Sequence, residues 1–483
     1  MGGLSKKIFQ IQTISDQSKQ ERLLLDSGNL LFKRQSVAAG PNQERLTAAA
    51  IMQIYQKIGY DAVGIGPLDM AAGMDFLQTG VAEDFPWISA NISDDRDKPL
   101  FRQWISKEIQ GVQVVITSLS APPTTLPPSI KVAPWESILP ELLPRMTKDR
   151  NNPFIILLST LSTEENRLIA EQYPAINLLL GAGQHLRNAS PQLINNTLVT
   201  QTDKQGQYQG LLEISFGKQR TWGQNREKQL ADLQNRLGSL NWQLQRLEKK
   251  SAGNTSKEKY SGTIARLHKD RDTINAQIAS LQDTITKEQS PDMFTDQYQY
   301  RFIGLESNMP DDSSTDNILK DLNRQIRQLH KKPSKAKKTT DTMTLFSPWR
   351  DLVGFRVCES CHVLQTEFWQ TTQHARAYTT LAVKEKNLDL ECLPCHVTTD
   401  LFTTSLQNLP KEHLLTLPRE LQSVGCESCH GSGKTHSVDP ERFKMVRLPG
   451  KNICLNCHTP EHDDNFDYET KLVPISCPAE LNK

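Results

Sequence analysis

Hydrophobic and polar positions divide the chain into stretches of different period. Over residues 1 to about 220, short apolar runs alternate with segments of helical spacing. Leu23-Leu24-Leu25-Asp26 predicts a strand, Leu46 to Ile58 a helix, and Asp61-Ala62-Val63-Gly64-Ile65-Gly66 and Val112 to Ile116 two further strands. Trp135 to Met146 and Thr163 to Gln172 read as helices; Phe154 to Leu158, Ile176 to Leu180, Thr197 to Thr200 and Leu211 to Phe216 read as strands. Such alternation predicts a layered α/β domain with its own core.

From Leu230 the period changes. Leu230, Leu233, Leu237, Leu240, Leu244 and Leu247 recur in steps of three and four, as do Ile264, Leu267, Arg271, Ile274, Ile278, Leu281 and Ile285. Each run carries an a/d seam, the second interrupted by Arg271. The polar stretch Lys249 to Lys259, with Gly253-Asn254, is long enough to reverse the chain. An antiparallel α-helical coiled-coil hairpin is expected over 221–290, either as a spacer arm or as an arm for oligomerisation. Residues 291–312 read as loop, Asp316 to Leu329 as an amphipathic helix, and His330 to Lys338 as a solvated basic linker, giving a unit over 291–345. The rest, 346–483, reads as a mainly α domain, so the chain is multidomain.

Its 483 residues are too many for one ordinary core. Lys+Arg 56 against Asp+Glu 55 leaves a net charge of +1, so no long-range field draws the molecule to nucleic acid or to an acidic membrane. No apolar run approaches the roughly 18 residues of a membrane span.

The cysteines change the picture most. None precedes Cys358, and eight of the nine form Cys358-Glu359-Ser360-Cys361-His362, Cys392-Leu393-Pro394-Cys395-His396, Cys426-Glu427-Ser428-Cys429-His430 and Cys454-Leu455-Asn456-Cys457-His458. C-x-x-C-H attaches c-type haem: the two thiols reach the two vinyl groups of one porphyrin, and the next residue lies under the iron as its proximal ligand. Zinc half-sites do not require a histidine after every pair, and redox disulfides need a thioredoxin-like strand-helix setting that this segment lacks. Four covalent haems c are expected, with proximal ligands His362, His396, His430 and His458. His374, His413, His436 and His462 remain in the same domain as candidate second axial ligands. So short a segment cannot bury each porphyrin separately, so the haems are expected to pack together and pass electrons among themselves.

Phe368-Trp369 with His374-Ala375-Arg376-Ala377-Tyr378, Val424 to His436, and Cys457-His458-Thr459-Pro460-Glu461-His462 resemble the tetrahaem cytochromes c of the ammonia-oxidation type. The resemblance implies that His374, His436 and His462 are distal ligands. For the fourth iron three readings stay open: His413 binds, Cys477 binds, or the iron is open. The resemblance also implies a periplasmic or extracellular protein. Met1-Gly2-Gly3-Leu4 lacks the apolar core of an export signal, so such a signal and a first strand are expected upstream of Met1.

In the first 220 residues, Leu25-Asp26-Ser27-Gly28-Asn29, Tyr60 to Gly66 and Ile88-Ser89-Ala90-Asn91 resemble the calcineurin-like metallophosphatases of the 5′-nucleotidase group. That family holds two metal ions with Asp, Asn and His on loops at the strand ends. The matching positions read Gly28-Asn29, Gly66-Pro67-Leu68-Asp69, Leu158-Ser159-Thr160 and Ala182-Gly183-Gln184-His185. Of the family's ligands at these positions only His185 survives, so the resemblance implies a retained fold without the hydrolytic chemistry. The functional expectation is a carrier of electrons between redox partner proteins, with no catalytic residues. The alternative is a haem reductase acting on a small nitrogen or sulfur oxyanion at an open iron.

Overall fold

The structure is a computed structural model. It describes residues 3–17, 21–182, 188–203, 206–222, scattered positions in 233–248, 257–287, 295–306, 308–331, 349–403, 405–406, 409, 411–459, 462–463 and 466–478. His185, Leu230, Leu247, most of the expected hairpin turn and the basic linker from Lys332 onward lie outside the described residues, as do the side chains of Leu281 and Ile285.

A three-stranded sheet, a six-stranded sheet and a two-stranded pair form the first part. β1 (Leu25–Asp26), β2 (Ala62–Gly64) and β3 (Trp87–Ile88) are parallel, and β4 (Ile92–Asp94) pairs with β7 (Ile130–Val132). A six-stranded sheet has the order β10 (Ala189–Ile194), β11 (Thr197–Gln201), β9 (Leu178–Gly181), β8 (Phe154–Ser159), β6 (Val112–Leu119), β5 (Trp104–Ile109), with only its outer pairs antiparallel. Period two explains its central strands, which are buried on both faces. Phe154, Ile156 and Leu158 of β8 pack with Val114 and Ile116 of β6 against Ala62 and Ile88 of the smaller sheet. Ile155 and Leu157 point the other way, onto α4 (Trp135–Thr147) and α5 (Thr163–Gln172). On the far side of the smaller sheet, Val63 and Trp87 meet α2 (Gln43–Ile58) and α3 (Met74–Ala82). The result is four layers, helix–sheet–sheet–helix, as the alternation of the sequence implies.

α2 starts three residues before the expected Leu46, because the Asn42 side chain accepts the Arg45 N–H at 2.9 Å and caps the first turn. α1 (Leu4–Gln17) and the helix Ser313–Lys331 cover its outer side through Ile8, Ile11, Ile54, Ile318 and Leu319. The loop expected over 291–312 needs correcting: Gln297–Gly304 is a strand, β13, paired antiparallel with β12 (Tyr208–Ser215). Tyr298, Tyr300 and Phe302 alternate with Gln299 and Arg301, a period-two signal hidden by its polar content.

β12 and β13 bracket the heptad segment. At its base Asp296, fully buried, pairs with Arg220 and accepts the Gly217 N–H at 2.8 Å. Beyond it Leu240, Leu244, Leu267 and Ile274 are buried together, flanked by Leu233, Leu237, Ile264 and Ile278. The helix Lys257–Lys287 has 31 residues, a length of about 46 Å.

The loops at the ends of β1 and β2 are tied by one carboxylate. Fully buried Asp69 accepts the N–H groups of Asn29 (2.7 Å), Leu30 (2.7 Å), Leu31 (2.8 Å) and Gly66 (2.8 Å). Asn29 returns the tie: its Oδ1 accepts the Leu68 N–H at 3.0 Å. The two loops lie so close that a Cβ on Gly66 would stand 2.3 Å from Asn29 Oδ1. Burial pushes the Asp69 carboxyl up to about 6, against the lowering effect of its backbone donors.

Asp69→Ala strips four buried N–H groups of their acceptor, and at about 1–3 kcal/mol for each buried unpaired group, partly relieved by loop relaxation, the loss should reach roughly 3 kcal/mol or more. Because the folded carboxyl holds its proton more tightly than the unfolded one, Asp69 stabilises fully below its ordinary value near 3.8 and loses this part as pH rises through about 6. Calorimetry should therefore find a wider gap between wild type and Asp69→Ala at pH 4.5 than at pH 7.5.

Candidate functional site

Each C-x-x-C-H motif lies on one turn of helix. In the first and fourth, the N–H groups of His362 and His458 bond back to the carbonyls of Cys358 and Cys454, both at 2.9 Å. The second and third form the short helices Leu393–His396 and Cys426–His430. This turn gathers positions i, i+3 and i+4 on one side, so both thiols and the imidazole of a motif face one ligand.

The histidine rings are oriented from behind. His396 Nδ1 lies 2.8 Å from the Ala377 carbonyl, His430 Nδ1 2.6 Å from that of Val446, His436 Nδ1 2.7 Å from that of Phe443, and His458 Nδ1 2.9 Å from Asp463 Oδ2. A carbonyl only accepts, so Nδ1 carries the proton and Nε2 presents its lone pair. This is the tautomer an iron ligand needs.

Two pairs of rings meet across long stretches of chain. His362 and His436 have centroids 6.2 Å apart at 16° between planes; His374 and His458 are also 6.2 Å apart, at 70°. Two imidazoles that shared one iron, each nitrogen about 2.0 Å from the metal with its ring centroid about 1.1 Å further back, would stand about 6.2 Å apart. Both pairs fit a bis-histidine iron. His413 instead packs edge-on against Trp349 at 6.0 Å, and His462 is exposed, one turn beyond His458. Among the described residues no ring contact joins either of them to His396 or His430.

The packing also fits large apolar groups. Leu390, Leu393, Val397, Leu409, Leu414, Leu417 and Leu421 form a small core around the second motif, and beyond Leu421 no described hydrophobic side chain is buried. Val363, Leu364, Val438 and Leu448 lie open around the other motifs, where porphyrin edges would cover them. Burial pushes the Cys392 thiol up to about 12 and that of Cys429 to about 11.

Glu427, inside the third motif, went unmarked in the sequence. It is buried and takes the N–H groups of Val353 (2.9 Å), Gly354 (2.8 Å) and Gly433 (2.8 Å), tying the approach to the first motif onto the third. The first motif has the same Cys-Glu-Ser-Cys-His sequence, yet its Glu359 is exposed. Trp369 adds a second tie, its indole N–H donating to the Val424 carbonyl at 2.9 Å, while the Val424 N–H reaches the His374 carbonyl at 3.1 Å.

Glu427→Ala should cost roughly 2–4 kcal/mol by leaving buried N–H groups unpaired, whereas Glu359→Ala should stay within about 0.5 kcal/mol. Denaturant unfolding of the two variants side by side measures the difference.

Comparison with known proteins gives the following. Residues 357–431 match the family model described as cytochrome c554 and c-prime. A curated relative, cytochrome c-554 of Nitrosomonas europaea, is 31% identical over 102 residues, covering 18% of this chain and 40% of the relative. The C-terminal part thus carries a cytochrome c554 domain, and the chain spans less than half the length of that relative. Among solved structures, the chain is similar to the sulfate thiohydrolase SoxB of Thermus thermophilus (TM-score 0.45, 16% identity, 68% of this chain and 47% of that one). It is also similar to a 5′-nucleotidase precursor from Thermus thermophilus (TM-score 0.42, 16% identity, 68% and 54%).

Proposed function

We propose that the protein is an exported tetrahaem c-type cytochrome that carries electrons between redox partner proteins. The observation that carries this reading is the coincidence of four C-x-x-C-H turns with two imidazole pairs at the separation of a shared iron. Cys358, Cys361, Cys392, Cys395, Cys426, Cys429, Cys454 and Cys457 form the thioethers. His362 with His436, and His458 with His374, would hold two of the haem irons between them, and His396 and His430 would each bind one of the other two. Bound there, haem supplies one-electron chemistry.

The protein's own contribution is orientation and exclusion. The carbonyls of Ala377, Val446 and Phe443 and the Asp463 carboxylate hold the rings in the ligating tautomer. Ligands crossing from one motif to another keep the four sites within one small domain, which favours transfer among them. The leucine cluster shields the second motif from water.

The domain division 1–220, 221–290, 291–345 and 346–483 and the antiparallel hairpin belong to the same proposal. The buried set Leu240, Leu244, Leu267 and Ile274 supports a hairpin whose seam is filled within the chain, hence a spacer arm in preference to a dimer zipper. The α/β layers serve as a scaffold without phosphoesterase activity. Asn29, Leu68 and Thr160 stand at the matching ligand positions, and the nearby Asp69 carboxylate is taken up by backbone donors. A second reading, a reductase at an open iron, is favoured by His396 and His430 having no imidazole opposite them among the described ring contacts.

Intact mass should exceed the polypeptide by four haems. Nearly parallel rings at His362 and His436, and steeply crossed rings at His374 and His458, should give two different low-spin ferric EPR signals, one rhombic and one highly anisotropic. If His413 and His462 close the other two irons, carbon monoxide leaves the reduced spectrum unchanged until His413→Ala opens one site. Wild-type protein that binds carbon monoxide, with no change in His413→Ala, would favour the reductase; zinc without porphyrin would overturn both readings.

A further inference from the structure

The segment entering the second motif is gripped by the α/β layers. Gln43, at the first turn of α2 and only 7% exposed, donates from Nε2 to Asp389 Oδ1 at 2.5 Å. Its Oε1 accepts the Leu390 N–H at 3.0 Å and faces His330 Nε2 at 3.3 Å. Lys33 Nζ lies 3.2 Å from Glu391 Oε2, and the other oxygen of that carboxylate takes Lys411 at 2.7 Å. Arg327 pairs with Glu385 at 2.6 Å. The exposed ion pairs are individually weak, while the buried Gln43 amide has both its ends in use.

This grip bears directly on the haem-binding turn. The Asp389 carbonyl accepts the N–H groups of Cys392 (3.1 Å) and Leu393 (3.0 Å), so whatever fixes Asp389 fixes the start of the helix that carries His396. On the α/β side, Lys33 follows two residues after Leu31, the last of the three successive N–H groups locked by Asp69. The loop that resembles a metal-binding loop is therefore held by a carboxylate and, a few residues on, reaches the second haem motif.

We infer that the α/β layers act as an intramolecular clamp on the second haem, with Gln43 and the Lys33–Glu391 pair as positioning residues for His396. The inference rests on the reading that Cys392, Cys395 and His396 bind haem. It gives the α/β layers a role in holding one of four redox centres in a fixed orientation and charge environment. That environment includes the acidic groups Asp389, Glu391 and Glu412 and the basic groups Lys33, Arg34, Lys386 and Lys411, so a change in the grip acts first on this one centre.

The test compares holoprotein Gln43→Met, which keeps side-chain volume but removes both hydrogen bonds, with Gln53→Met, the same change at an exposed position on α2. Hydrogen exchange should quicken about tenfold or more at Leu390, Cys392 and Leu393 in Gln43→Met alone, and a spectropotentiometric titration should show one of the redox components displaced. Glu391→Gln, a surface change that folding tolerates, should displace the same component. Unchanged exchange and unchanged components in both Gln43→Met and Glu391→Gln overturn the clamp. Peptide mass analysis keeps the underlying reading separate: a peptide spanning Cys392 to His396 without haem refutes that reading, while the exchange rates still decide whether the clamp exists.

Discussion

Beyond Leu421 no described apolar side chain is buried, and a domain so poor in core residues cannot be ordered by its own hydrophobic burial. In the proposed reading its order would come from haem attachment: each thioether pair would fix one helical turn, and the paired imidazoles come from different parts of the chain, His436 beside His362 and His374 beside His458. Such links close long loops and act as disulfides do in small secreted domains, by restricting the unfolded chain. The apolar faces of bound porphyrins would stand in for the missing core and would cover exposed side chains such as Val438 and Leu448.

The α/β layers solve the opposite problem. Their sheets are rich enough in Ile, Leu and Val to be buried on both faces, so the fold stands without help from metal ions. At the strand ends this chain has a carboxylate bonded to four backbone N–H groups. Asp69 draws the loops together by attracting their amides, which uses up its own acceptor capacity.

What could be read in the sequence follows from how local each cause is. The turn of a C-x-x-C-H motif and the alternation in β6 and β8 are set by neighbours within a few residues, so they were legible. β13 was missed because its alternating faces are polar on one side and aromatic on the other, a weaker signal than an apolar run. The imidazole pairs needed a third dimension: His362 and His436 are separated by two other motifs, and no spacing rule joins them. Glu427 and Glu359 make the limit plain, since the same five-residue motif buries one carboxylate and exposes the other. The difference comes from Val353, Gly354 and Gly433, whose approach is decided by tertiary packing.

The contacts at Gln43, Lys33 and Arg327 all fall within the seven residues 385–391 and none on the motif itself. That placement suits control better than direct ligation would. A side chain bonded to iron changes potential and spin state together, whereas a grip on the preceding carbonyl turns the ring and its charge environment by small amounts while the ligand set stays intact. The second motif is also the one with a leucine core of its own, so a shift imposed at Asp389 would be carried into a well-packed helix.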